Sequence, residues 1–143
     1  MTDDLTAPVP GLAPAFAMRI ERGEPVRVGA IATGGRRSHV SVTGGSFTGE
    51  GLSGTLTGGS ETLLERTDGV TMIEVVYYIT FSDGAVARCF GTGYRTAPPH
   101  FGGTRLSLLF EAAETGSVAA LATRAFMAEQ VDGDALVSIN RII

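Results

Sequence analysis

The sequence predicts an all-β fold, a small antiparallel β-barrel closed on itself, and three observations carry that expectation. From Ala15 onward, short apolar or alternating segments are cut by turn residues, the period-two pattern of antiparallel strands rather than of helices. Glycine supplies 20 of the 143 residues, about twice ordinary usage, which supplies the bends and turns of such a fold. Only Ser117 to Thr123 reads as a helical turn. Roughly nine or ten strands in so short a chain favour closure, because closure removes edges that would otherwise pair with other molecules. The alternative is a two-sheet sandwich. No fixed-period repeat is visible, so a propeller or solenoid is not expected.

The elements follow in order. Met1 to Pro14, with Asp3, Asp4, no cation and prolines at 8, 10 and 14, reads as a flexible lead-in, leaving 15–143 as one barrel domain. Ala15 to Arg22 and Pro25 to Ala32 are the first strands, parted by Gly23. Arg36 to Thr43 is expected to end at Gly44-Gly45, and Ser46 to Thr57 to end at Gly58-Gly59. Thr62 to Thr67, an Asp68-Gly69 turn, Val70 to Phe81, a Ser82-Asp83-Gly84 turn and Ala85 to Arg95 follow. The Asp-Gly pairs signal hairpins because the favoured two-residue turn needs positive φ at both central positions. Thr96 to Gly103, with its Pro-Pro and Gly-Gly pairs, reads as a loop, and Arg105 to Glu111 as a strand. Arg124 to Val131 and Ala135 to Ile143 close the chain as a hairpin around Asp132-Gly133-Asp134.

Composition removes several function classes. The formal net charge is −4 and all 11 cations are Arg. Without lysine there is neither a Schiff base nor a Walker-type phosphate loop. One Cys cannot form an internal disulfide, and one Cys with two His cannot build a four-ligand N/S zinc site. No cofactor is expected. Arg36-Arg37 is too small a basic patch for nucleic acid in an acidic chain, and no apolar run approaches a membrane span or a secretory signal. A cytoplasmic protein is expected, consistent with the unpaired thiol. Gly49 to Gly54 spells GxGxxG, but strand rather than helix follows, so no dinucleotide site is implied.

Val70 to Phe81 is the most informative segment. Alternation puts Ile73, Val75, Tyr77, Ile79 and Phe81 on one face and Met72, Glu74, Val76, Tyr78 and Thr80 on the other. A three-residue loop at Ser82-Asp83-Gly84 places Tyr78 opposite Arg88, Val76 opposite Phe90 and Glu74 opposite Thr92; a two-residue loop would break this arrangement. Glu74, Tyr78 and Arg88 then share a face. A carboxylate among apolar neighbours needs a partner, and Arg88 is the first choice. Glu74 as general acid or base, with Tyr78 donating to a developing enolate or phenolate, is the catalytic expectation; a structural ion pair is the plain alternative. Both faces of the strand are apolar enough to need cover. One is expected to line the lumen and the other to pack on a second subunit in a homodimer, unless the terminal strands or the helical turn cover it.

The segments Gly44-Gly45-Ser46-Phe47-Thr48-Gly49, Leu52-Ser53-Gly54, Gly58-Gly59-Ser60-Glu61, Arg66-Thr67-Asp68-Gly69, Asp83-Gly84-Ala85 and Gly93-Tyr94-Arg95 resemble, in order and spacing, the family called domain of unknown function 3237. The similarity runs over roughly Ala15 to Ile143 and includes Phe110-Glu111. It implies a small antiparallel barrel, lipocalin-like or allene-oxide-cyclase-like in outline, often oligomeric and mostly without assigned activity. It also implies that Glu61 faces the pocket. This chain departs from the family pattern at Ser60-Glu61 and Glu74, and has Val76 and Phe90 where Arg is frequent, implying a more apolar pocket.

Glu61 and Arg66 fall on opposite faces by their odd-even offset, so Arg66 reads as a hairpin brace. His100 sits in a loop that could cover a barrel mouth, where an imidazole shuttles protons near neutrality, although a solvated loop His is the plain reading. Cys89 alternates away from Arg88 and reads as a packed thiol. Phe90, Phe110 and Phe126, if inward, would fill the barrel.

The resulting expectation is a cofactor-free enzyme of isomerase, cyclase or lyase type acting on a hydrophobic, aromatic or polyketide-like molecule. Glu74, Tyr78 and Arg88 are its catalytic candidates, and Glu61, Val76, Phe90, His100 and Phe110 its binding candidates. The alternative is a non-catalytic carrier whose lumen holds a small apolar ligand.

Overall fold

The computed structural model describes residues 8–143. In chain order the strands are β1 (Leu12–Arg22), β2 (Val26–Ala30), β3 (Arg36–Gly49), β4 (Leu52–Glu65), β5 (Thr71–Phe81), β6 (Val86–Thr96), β7 (Gly103–Ala112), β8 (Phe126–Val131) and β9 (Val137–Ile142). A 3₁₀ turn, Ala119–Thr123, lies between β7 and β8. The strands form one antiparallel sheet in the order β1-β9-β8-β7-β6-β5-β4-β3-β2, and pairing of β1 with β3 closes it into a barrel. β2 stands outside the closure, on the first half of β3. Half of the expected lead-in, residues 1–7, lies outside the described residues. Leu12 to Pro14 already belong to β1, opposite Ile142, Arg141 and Asn140.

Two expected turns are not turns. Gly44-Gly45 lies inside β3 and Gly58-Gly59 inside β4. The second glycine of each pair serves close approach rather than reversal: a Cβ on Gly45 would sit 2.1 Å from the Arg19 carbonyl oxygen, with φ at +140°, and one on Gly59 would sit 2.1 Å from the Val76 carbonyl oxygen, with φ at +130°. Glycine is what lets β1 cross β3 at the seam of the barrel. The actual reversal between β3 and β4 is Glu50-Gly51, both with positive φ, as a tight hairpin turn requires.

Inward residues follow the alternation. Ile73, Val75, Tyr77, Ile79 and Phe81 of β5 are all buried, and so are Ala87 and Cys89 of β6 and Leu106, Leu108 and Phe110 of β7. Toward one end, Phe16, Phe47, Phe81, Phe110 and Phe126 pack ring on ring at centroid separations from 4.6 to 6.1 Å. Each buried Phe contributes about 1.5–3 kcal/mol of transfer free energy. Val118 and Leu121, flanking and within the 3₁₀ turn, are buried too, so this end is filled. The opposite end, rimmed by the β4–β5 and β8–β9 hairpins and the 97–102 loop, stays open. Of the three rings expected to fill the barrel if inward, Phe110 and Phe126 are inward and Phe90 is not, and the filling is confined to one half.

Candidate functional site

Three strands build the polar floor of the open half. On β4 the inner face runs Glu61, Leu63, Glu65 toward the mouth; on β5 it carries Tyr77 and Ile73; β1 brings Arg22 at its end. Glu61 is 7% exposed, the one buried charged residue among the described residues. Its Oε1 accepts from Arg22 Nε at 2.5 Å, and its Oε2 accepts from Arg22 Nη2 at 3.0 Å and from the Tyr77 hydroxyl at 2.5 Å. A buried carboxylate needs this many donors to remain charged. Among the described residues no buried side-chain polar atom lacks a partner.

The same contacts set the protonation of the partners. The hydrogen bond to Glu61 raises the Arg22 pKa, against the opposing effect of burial. Burial first, then the Glu61 charge and hydrogen bond, hold the Tyr77 hydroxyl well above the ordinary tyrosine value, so it keeps its proton and acts as a donor. A carboxylate offers about four acceptor positions. Three are occupied here, which leaves about one.

That cavity is lined by apolar groups, among them Met18, Ile20, Ile73, Leu106, Leu108, Ala128 and Val137, together with Arg22, Glu61, Tyr77, Arg95 and Gln130. It encloses about 470 Å³ including its open mouth, of which about 30 Å³ admits the centre of a water-sized sphere. One water needs roughly 10–15 Å³ on that measure, so a slender group enters as the cavity stands and a wider one must displace side chains. Above it a vestibule of about 320 Å³ on that water-sized-sphere measure, against about 30 Å³ for the cavity, shares Arg22, Glu61, Leu63, Arg95, Thr104 and Gln130, and adds Asp132 and Asp134.

The expected register at the β5–β6 hairpin is found: Tyr78 pairs with Arg88, Val76 with Phe90 and Glu74 with Thr92. The expected face is not. Glu74 and Tyr78 are exposed on the outside of the barrel, and Val76, Arg88 and Phe90 are half-buried on that outer face. Arg88 bonds Glu111 through Nη1 at 2.9 Å rather than Glu74, and its guanidinium lies over the Phe90 ring at 4.9 Å. Glu74 needs no buried partner because water solvates it. Glu74, Val76, Arg88 and Phe90 do line a shallow outer depression of about 230 Å³, but none of them reaches the lumen.

Of the other binding candidates, Glu61 is in the lumen, and Phe110 is inward but sits in the aromatic plug. His100 is exposed in the 97–102 loop and lines neither lumen nor vestibule. Cys89 is buried, and Arg66 braces its hairpin by bonding Asp68. Arg22 and Tyr77 were not singled out by the sequence. The available signal was a lone Tyr hydroxyl on the otherwise apolar Ile73–Phe81 face, which requires a partner once that face is inside.

These features define a class: a small closed antiparallel β-barrel, plugged with aromatics at one end and open at the other over a buried Glu61–Tyr77 pair bonded by the part-exposed Arg22. The chain matches the family described as protein of unknown function (DUF3237) over residues 10–108, and it belongs to that family. No curated protein matches it. A conserved protein of unknown function from Rhodopseudomonas palustris shares the fold with a TM-score of 0.84 at 20% identity, over 96% of this chain and 100% of that one. A β-barrel-like protein from Acinetobacter baumannii does so with a TM-score of 0.78 at 18% identity, over 94% and 96%. An enzyme from Penicillium herquei does so with a TM-score of 0.76 at 19% identity, over 95% and 97%. At these identities the likeness establishes the fold.

Proposed function

We propose that the open half of the barrel binds a small, largely apolar molecule and that Glu61 moves a proton on it without a cofactor. The observation that carries this reading is the buried Glu61, held by Arg22 and Tyr77 at the floor of an apolar cavity that opens to solvent. In the proposed step Glu61 takes a proton from a carbon next to a carbonyl. The electron pair moves to the carbonyl oxygen, where Arg22, which keeps Nη1 free of Glu61, stabilises the enolate. Delivery of one proton from Glu61 to another position completes an isomerisation, so the step balances with no co-reactant, and exchange of that proton with water before delivery carries solvent label into the molecule. The Penicillium herquei relative is an enzyme, which lends general support.

The catalytic role expected for Glu74, Tyr78 and Arg88 passes to Glu61, Tyr77 and Arg22 in this proposal, because only the latter border the lumen. The outer face keeps exposed Met72, Tyr78, Tyr94 and Leu109, which supports a homodimer packed through it; light scattering showing only monomer at micromolar concentration overturns that assembly. Among the described residues no helix is long and apolar enough to cross a membrane, and the unpaired, buried Cys89 fits a reducing cytoplasmic compartment.

The proposed chemistry is tested without knowing the substrate. A panel of enolisable ketones and phenols is incubated with protein in heavy water, and deuterium uptake is read by mass spectrometry. Exchange with wild type that is lost in Glu61→Gln and retained in Glu74→Gln supports the proposal. Exchange that survives Glu61→Gln overturns it. Ligand-dependent thermal stabilisation with no exchange on any bound compound would instead establish the carrier reading, which the near-saturation of Glu61 by its own partners favours.

A further inference from the structure

The 11 arginines are unevenly used. Arg22, Arg66, Arg88, Arg105 and Arg141 are paired with Glu61, Asp68, Glu111, Glu129 and Glu50. Among the described residues the remaining arginines form no ion pair, and Arg27, Arg36, Arg37 and Arg95 line one groove of about 260 Å³. Its other lining includes Ser38, Leu63, Thr71 and a single carboxylate, Glu65. In a chain of net charge −4 this is a local excess of positive charge, four arginines against the one carboxylate of Glu65.

The register shows what the groove is. Arg36 pairs with Glu65, Glu65 with Thr71 and Thr71 with Arg95, so these residues make one rung across β3, β4, β5 and β6. Directly opposed residues share a face, and on β4 Glu65 shares its face with Leu63 and Glu61. The rung is therefore the upward continuation of the lumen wall. Leu63 and Arg95 line both the lumen cavity and the groove. At about 3.3 Å per residue the rung stands roughly 13 Å above Glu61. Asp132 and Asp134 border the vestibule on the β8–β9 hairpin, so the rim is polarised, with its cationic side on the β2–β3 flank.

We propose that this arginine rung is the anion-binding end of the lumen site, and that the ligand is an amphipathic oxyanion. Its apolar body lies in the barrel, and its carboxylate or phosphate group sits against Arg27, Arg36 and Arg95. The proposal rests on the lumen being the ligand site and adds the chemical class of what enters it. Guanidinium groups suit both oxyanions because their N–H donors match two oxygens at once.

The test compares octanoate, octyl phosphate and 1-octanol by titration calorimetry at low salt, with wild type, Arg27→Ala/Arg36→Ala and Arg27→Lys/Arg36→Lys, each checked for fold by circular dichroism. The expected result is an anionic probe bound at least about tenfold more tightly than 1-octanol by wild type. That preference should shrink with added salt, collapse in the Ala variant with 1-octanol affinity unchanged, and survive in large part in the Lys variant. The order of octanoate and octyl phosphate then identifies the preferred oxyanion. Equal affinity for charged and neutral probes, or a preference that persists in the Ala variant, overturns this inference and leaves the lumen site standing. Failure of all three probes to bind overturns the lumen reading itself.

Discussion

Replacing Arg22 by Met isolates the energetics of the buried cluster. Glu61 would keep the Tyr77 hydrogen bond and lose both bonds from Arg22. Stripping one partner from a fully buried pair costs about 3–5 kcal/mol. The Arg22 side chain is 36% exposed against 9% for Glu61, so water reaches that flank and replaces part of the lost solvation; about 2–3 kcal/mol remains. With a urea m-value near 2 kcal/mol/M, the midpoint falls by about 1–1.5 M. The informative step is the second substitution. Adding Glu61→Gln removes the stranded charge while its amide oxygen still accepts from Tyr77. The double variant should therefore be more stable than Arg22→Met alone, by about 1–2 kcal/mol. Urea unfolding followed by far-ultraviolet circular dichroism reads both steps. A double variant no more stable than the single one refutes the reasoning, because it would mean that the charge on Glu61 is not what the arginine supports.

Other predictions follow from the same structure. Gly45→Ala forces a Cβ against the Arg19 carbonyl at positive φ, and should cost at least about 2–3 kcal/mol in the same unfolding assay. Glu74→Ala and Arg88→Ala, on the outer face, should each shift stability by no more than about 0.5–1 kcal/mol. Burial pushes the Cys89 thiol up to about 12. The native state then holds a proton that the unfolded chain releases from about pH 9, so stability is intact below pH 9 and declines toward pH 12, by up to about 1.4 kcal/mol per unit. Melting temperature against pH should show that decline flattened in Cys89→Ala, while a thiol reagent at neutral pH should label wild type only after unfolding.

The architecture was legible because period-two alternation and Asp-Gly turns are local signals that survive in a single sequence. They located the long β5–β6 hairpin, and loop length set its register correctly. Other features depended on partners distant in sequence. Gly44-Gly45 and Gly58-Gly59 look like turns locally, and only the approach of β1 to β3 and of β5 to β4 explains glycine at Gly45 and Gly59. The face of β5 was ambiguous for a physical reason: Met72, Val76 and Tyr78 make the outer face nearly as apolar as the inner one, so alternation gave two faces without saying which was inside. Choosing the face that carried Glu74 followed chemistry rather than burial. Glu61, which family likeness placed toward the pocket, lines the lumen cavity; its partners Arg22 and Tyr77 stand 39 and 16 residues away, and closure of the barrel brings them together.

The claim that the lumen, not the outer face, is the ligand site is tested most directly by intermolecular nuclear Overhauser effects between 1-octanol and the protein methyl groups. Contacts to Leu63, Ile73, Leu106, Ala128 and Val137, all lining the lumen cavity, are the predicted result. Contacts confined to Met72, Val76 and Leu109 on the outside of the barrel would contradict it.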